Sequence, residues 1–247
     1  MNEVVAHFSA RAAHYDRSST WCTDDTLAAR VVAAVAPEAH HRLLDVACGT
    51  GLVSRRFVGK VAHITGVDLT PEMFAQARPF VDHLVEADAT RLPFEDASFD
   101  RVVCRQGIQF MDDARAVAEM LRVVRPGGRV VLVHLAAYGE ADRADTFEVL
   151  RLRNPARRNF YLREDLERLL RAGGAAEVTL EDARVVEDVE AWADNRAIDD
   201  HRVRAVSDAY RAANEAFLRS HEVRFVDGRI LDTMLMVIAT GVRASGS

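Results

Sequence analysis

The sequence predicts a doubly wound α/β domain, and three observations predict it. Short runs rich in valine, isoleucine and leucine alternate with helical patterns from residue 42 to residue 137. The connections between them are short, so the strands should lie parallel in one sheet with helices over both faces. The chain has 247 residues, 49% hydrophobic and 28% charged, enough for one large core.

Residues 1–36 read as helical, with Leu27, Val31 and Val35 at four-residue spacing ahead of Pro37. RLLDVA (42–47) is the first strand, and GLVSRRFV (51–58) reads as the helix after it. VAHITGVD (61–68) is the second strand, followed by PEMFAQAR (71–78) with proline at a helix start. HLVEAD (83–88) and FDRVVCR (99–105) are the third and fourth strands. In DDARAVAEMLRVV (112–124), Ala114, Val117, Leu121 and Val124 fall at helical spacing. Pro126-Gly127-Gly128 stops that helix before the fifth strand, RVVLVHLAA (129–137).

An arginine-heavy segment (139–163) leads into the helix REDLERLLRAGG (163–174). AEVTLEDARVV (176–186) is a sixth strand, helical stretches follow near 187–197 and 202–219, and RILDTMLMVIATGV (229–242) is the last strand. The expected organisation is a single domain over 1–247: a helical lid (1–36), a cofactor-binding core (37–137), and a substrate-side segment that completes the sheet (138–247). Only the terminal ASGS reads as free.

Thirty-eight acids against 32 bases give a net charge of -6, which argues against an electrostatic nucleic-acid binder. Lys60 is the only lysine among those bases. Codon bias explains most of the arginine excess; the sharper alternative is that some arginines are flat, bidentate anion binders. RLRNPARRNFYLRED sets Arg151, Arg153, Arg157, Arg158 and Arg163 near Phe160 and Tyr161. It reads either as a solvated surface or as a lid over an anionic or aromatic substrate. Cys22, Cys48 and Cys104 show no metal-ligand spacing, so no metal site is expected, and a reduced, cytoplasmic setting is the default. The N-terminus lacks a continuous apolar core, and no run approaches the roughly 18 apolar residues of a membrane span.

The informative stretch is LLDVACGTGLVSRRF, a strand entering a glycine turn. Gly49 and Gly51 allow a sharp turn and a close approach of backbone to ligand. Asp68, ending the second strand, is well placed to take two ribose hydroxyls. Together they indicate a nucleoside cofactor. A dinucleotide would put its pyrophosphate over the turn, where Asp45 would repel it, and Ser54 stands where a third glycine would be. Both points disfavour an NAD-dependent oxidoreductase and favour S-adenosylmethionine (SAM), which has no phosphate.

These residues resemble the class I SAM-dependent methyltransferases, especially the group containing ubiquinone/menaquinone C-methyltransferases and natural-product methyltransferases. DVACGTG (45–51) resembles the family's first motif, and GVDLTPEMFAQAR (66–78) its ribose-binding segment. EADATRLPFEDASFDRVVC (86–104) is similar to its adenine loop and fourth strand, and EMLRVVRPGGRVVLV (119–133) to the unit that closes the core. The resemblance implies a Rossmann-like, seven-stranded sheet whose last strand is antiparallel, with N-terminal helices and a helical insertion before that strand. It implies that Asp45, Ala47 and Gly49 meet the methionine portion, with Gly51 completing the turn. Asp68 would bind the ribose, Leu69 and Met73 the adenine, and Asp88 the adenine amino group beside the Ala89 amide. Arg105 would line the methionine side and face the substrate, and Tyr15 would close over the cofactor carboxylate.

Methyl transfer needs alignment, and a base only if the acceptor enters protonated. His134, at the carboxyl end of the fifth strand, is the leading candidate base, ahead of His7, His14, His201 and His221. Some nucleic-acid methyltransferases carry an Asn-Pro-Pro-Tyr type motif after the fourth strand; here Arg105-Gln106 stands there, and Asn154-Pro155-Ala156 lies far downstream. The expected partner is a small molecule, methylated on oxygen or carbon. N-methylation of an amine, or a SAM-binding cyclase or scaffold that transfers no methyl group, are the alternatives. Oligomeric state is not readable.

Overall fold

The computed structural model describes residues 3–12, 15–17, 19–194 and 198–245. Its sheet contains β1 (Arg42–Val46), β2 (His63–Asp68), β3 (His83–Glu86), β4 (Phe99–Arg105), β5 (Val124–Ala136), β6 (Ala175–Asp188), β7 (Arg224–Val226) and β8 (Arg229–Arg243). The order is β3-β2-β1-β4-β5-β8-β6, with β7 beside β8. β1 to β5 pair in parallel, and β8 runs antiparallel to both β5 and β6. The expected doubly wound α/β fold is present with one strand more than the predicted seven. The extra one, β7, is a three-residue arm joined to β8 through Asp227-Gly228, both at positive φ, the turn that matches strand twist in a tight hairpin.

The order reverses between β1 and β4, and in such sheets the crevice beyond the carboxyl ends at that reversal receives ligands. Both faces of the sheet are covered. On one, Leu43, Val103, Val131 and Val133 pack with Leu27, Val31 and Val35 of α2 (Asp25–Val35). On the other, Leu44, Val102, Val130 and Leu132 pack under α4 (Asp113–Val123) and α6 (Arg163–Ala172). The N-terminal region holds α1 (Glu3–Arg11), two short 3₁₀ turns and α2, which Asp24 caps by accepting from the Leu27 amide.

Several elements depart from expectation. After the glycine turn there is no regular helix, only a 3₁₀ turn at Ser54–Arg56. The Arg55 amide reaches Gly51 four residues back, but those of Arg56 and Phe57 bond only three back, and the Ser54 hydroxyl is drawn to Asp45. The next segment is a 3₁₀ turn, Pro71–Met73, running into α3 (Phe74–Ala77). In α4 the buried stripe follows Ala116–Met120 and Val117–Leu121; Ala114 is exposed, and Val124 begins β5. Pro126-Gly127-Gly128 forms a bulge inside β5, because Phe99 pairs with Val124 and Arg101 with Arg129.

The arginine-heavy segment contains α5 (Arg143–Arg153). Past β6 lie α7 (Val189–Ala193), α8 (Asp200–Ala212) and α9 (Glu215–Ser220), the last capped by Asn214. Of the stretches read as helical or free, residues 1–2, 13–14, 18, 195–197 and the final Gly246-Ser247 lie outside the described residues. No helix among the described residues is long and apolar enough to cross a membrane.

Candidate active site

The chain leaves β1 through Ala47, Gly49 and Gly51, all at positive φ (55°, 52° and 76°). The Gly49 amide donates to Asp68 Oδ2 at 2.8 Å, and the Thr70 amide donates to Asp68 Oδ1 at 2.9 Å. The carboxylate closing β2 therefore fixes the turn that follows β1. Burial pushes the Asp68 carboxyl above its ordinary range, opposed by those same amides. The two glycines have different tasks. A Cβ on Gly49 would meet the Met73 sulfur at 3.3 Å, beside the cavity, whereas one on Gly51 would lie 3.0 Å from the Ala77 backbone. Gly51 is a packing requirement of the turn against α3, not a wall of the cavity.

A cavity of about 570 Å³ opens above this turn. Tyr15, Ala47, Gly49, Asp68, Leu69, Met73 and Ala89, all singled out by the sequence, line it. Val4 and Phe8 of α1 line it too, with the turn after β4, which contributes Gln106, Gly107, Phe110 and Met111; the sequence singles out none of these for the cofactor. One available signal was the rule that ligands gather at strand carboxyl ends, applicable to 106–111 as much as to His134. Gly107 marks the close approach there, since a Cβ on it would lie 2.6 Å from that of Ala47. A second cavity of about 440 Å³ shares Phe8, Tyr15, Gln106 and Phe110 with the first. Its remaining walls include Trp21, Leu135, Arg153, Arg157 and Trp192.

Other expected residues stand elsewhere. Asp45 is buried behind the turn and accepts the Ser54 hydroxyl at 2.6 Å; it does not line the cavity. Burial pushes it up to about 7, against the Ser54 hydrogen bond and the charge of Arg105. Arg105 also faces away from the main cavity. It lines a small apolar space beside α2 and donates from Nη1 to the Trp21 carbonyl at 3.4 Å. Asp88 is exposed, and its Oδ1 accepts from both the amide and the hydroxyl of Thr90 at 2.8 Å.

His134 is displaced most decisively from the role expected of it. It is wholly buried under the α4 and α6 face, edge-on to Tyr161, with both ring nitrogens unpartnered. Burial, with Arg157 adding to it, holds the ring down at about 3. It lines neither cavity, so it has no route to an acceptor proton. His201 is exposed, His7 packs edge-on against Phe8 outside both linings, and His14 lies outside the described residues. His221 is held between Asp232 (Nδ1 to Oδ1, 2.8 Å) and Asp142 (Nε2 to Oδ2, 3.2 Å). Burial opposes its charge, but these two carboxylates outweigh burial and raise it to about 9, which makes it a structural cation. Glu38, His40 and His41 bring ligand atoms within 4.8 Å of one another, but just before β1, at the opposite end of the strands from both cavities.

The turn and cavity fit SAM. Among the described residues the cavity is lined by largely apolar surface with one carboxylate, and none of them offers a basic side chain to a pyrophosphate. Residues 44–132 match the family model described as "Methyltransferase domain". A demethylmenaquinone methyltransferase of Clavibacter sepedonicus is 35% identical over 139 residues, 53% of this chain and 57% of that protein. A malonyl-[acyl-carrier protein] O-methyltransferase of Enterobacter lignolyticus is also 35% identical over 139 residues, 54% of each chain. The chain thus spans little more than half the length of these curated relatives. The solved structure of the YcgJ protein from Bacillus subtilis superposes with a TM-score of 0.83 at 22% identity, covering 90% of this chain and all of that one, a likeness of fold. Residues 44–132 thus carry the sequence pattern of a methyltransferase domain, and the fold around them is the one shared with the solved YcgJ structure.

Proposed function

We propose that the protein transfers a methyl group from SAM to oxygen or carbon of a small molecule held in the second cavity. The observation that carries this reading is the shared wall. Two cavities at the carboxyl ends of the strands meet at Phe8, Tyr15, Gln106 and Phe110, one above the glycine turn and the other without access to it. Asp68 would take the ribose, Leu69, Met73 and Ala89 would flank the adenine, and Ala47, Gly49 and Tyr15 would border the methionine portion. Bound there, SAM supplies an electrophilic methyl group, and its sulfur keeps the electron pair of the broken bond.

The chain's own contribution is alignment and exclusion of water by Phe8, Tyr15 and Phe110. Among the described residues lining either cavity there is no histidine, and Asp68, already held by two amides, is the sole carboxylate. That composition favours an acceptor that arrives ionised or as a stabilised enol, for which no protein base is required. The names of the relatives, demethylmenaquinone methyltransferase and malonyl O-methyltransferase, are in keeping with aromatic, quinone-like or polyketide-like acceptors.

Calorimetry tests the cofactor assignment: SAM binds, NAD does not, and Asp68→Ala abolishes SAM binding. Release of S-adenosylhomocysteine with an acceptor shows transfer. Tight NAD binding would overturn the reading.

A further inference from the structure

Loop 154–159, between α5 and α6, is mounted rigidly on the turn after β4. The amides of Arg158 and Asn159 both donate to the Gln109 carbonyl (2.9 and 3.1 Å), and Asn159 Nδ2 donates to the carbonyls of Ile108 and Met111. This mounting carries Arg157 into the wall of the second cavity, where it is only 8% exposed. Its Nε donates to the Asn159 carbonyl at 3.0 Å, and its Nη2 is shut off from water with no partner. Trp192 Nε1, an indole N–H in the same cavity wall, is likewise buried without a partner. Buried N–H groups without acceptors cost free energy that a ligand bringing acceptors removes.

Charge sharpens the match. Arg153 lies over the Trp192 ring at 4.5 Å and donates from Nε to the Trp192 carbonyl at 2.9 Å. It is partly offset by Glu187, whose carboxylate accepts the amides of Thr20 and Trp21. Among the described residues no carboxylate acts on Arg157; burial pulls its guanidinium down to about 10, opposed by Tyr161. One uncompensated positive charge suits a monoanion. The remaining wall, Phe8, Trp21, Phe110, Leu135, Leu150 and Trp192, is aromatic and apolar.

Resting on the assignment of the first cavity to the cofactor, we propose that the second cavity selects an aromatic monocarboxylate, whose carboxylate is received by Arg157 with Arg153 beside it. Both arginines line the second cavity alone, so the carboxylate is anchored at the end away from the cofactor. It acts as a handle that turns the other end of the molecule, with the acceptor atom, toward the shared wall. Arg157 is in this sense a specificity-determining residue, and the arginines 151, 158 and 163 of the same segment are not.

The test uses the full chain saturated with S-adenosylhomocysteine, titrated calorimetrically with benzoate, 4-hydroxybenzoate and indole-3-acetate, with the matching amides, and with phenyl phosphate. At least one carboxylate should bind, at least tenfold tighter than its amide and tighter than phenyl phosphate. Arg157→Gln should erase the preference over the amide while leaving S-adenosylhomocysteine affinity unchanged, and Arg157→Lys should keep part of it. Equal binding of carboxylate and amide, tighter binding of the phosphate, or no binding by any carboxylate would overturn the proposal. The carboxylate–amide comparison needs no variant, so a misfolded Arg157→Gln leaves it decisive. Failure of S-adenosylhomocysteine itself to bind the wild-type chain would instead count against the cofactor assignment.

Discussion

Ser54 donates its hydroxyl to the buried carboxyl of Asp45 at 2.6 Å, across the turn that leaves β1. The serine that occupies the place of a third glycine is thus the partner that lets an acid sit behind the turn. With Asp45 near 7, its proton is retained in the folded chain at pH values where the unfolded chain has lost it. The unfolded state then binds fewer protons, so stability must fall as pH rises from about 4 toward 7. Asp45→Asn keeps the shape and removes the ionisation. We expect its thermal midpoint to be flatter than wild type across that window, and Ser54→Ala to lower the midpoint throughout, by about 1–3 kcal/mol in stability. Thermal melts at half-unit pH steps check both.

Gly51 and Gly59 share nearly the same backbone, φ +76° and +74°, in very different surroundings. A Cβ on Gly59 meets nothing within 4 Å, while one on Gly51 runs into the Ala77 backbone. Gly59→Ala should therefore cost only the left-handed conformation, about 1–2 kcal/mol. Gly51→Ala should cost about 1–3 kcal/mol more from overpacking and should also loosen SAM binding by shifting the turn. Denaturant midpoints and SAM titrations of the two variants provide the comparison; equal losses in both would show that packing against Ala77 is unimportant.

His134 should be dispensable for turnover. Its ring, held at about 3, is neutral in the folded chain, while the unfolded ring takes a proton below about 6.5. It therefore drains stability as pH falls from 6.5 toward 3, because there the unfolded state binds the extra proton. His134→Leu removes the unpartnered ring nitrogens and that proton linkage. Methyl transfer and its pH profile should be unchanged, with an increase in thermal midpoint that widens as pH falls below 6.5. A variant that folds but loses turnover would restore the histidine to the mechanism.

The sheet was legible because its strands are short apolar runs set between turn signals, and the first cavity's floor because a glycine turn and a strand-end acid are local features. The facing of His134 was not legible for a physical reason. β5 is buried on both sides, so Val131 and Val133 look no different in pattern from Val130 and Leu132, and alternation cannot say which face a histidine joins. Asp45 differs in another way: its strand position is as expected, but its carboxyl is engaged by Ser54 and does not line the first cavity. The second cavity was hidden more deeply, since Phe8 and Trp192 meet there from positions far apart in the chain and neither lies in a recognisable motif. The arginine segment was noticed, but only the mounting of loop 154–159 on Gln109 separates Arg157 from its exposed neighbours.

Phe8 and Tyr15 belong to the walls of both cavities, so a ligand in either one bears on the same two side chains. A ligand in either chamber that fixes these two side chains spares the other ligand part of the same ordering entropy. Whatever factor SAM contributes to acceptor affinity, the acceptor must return to SAM affinity. The same two side chains would then decide in which order the ligands enter and which product leaves first.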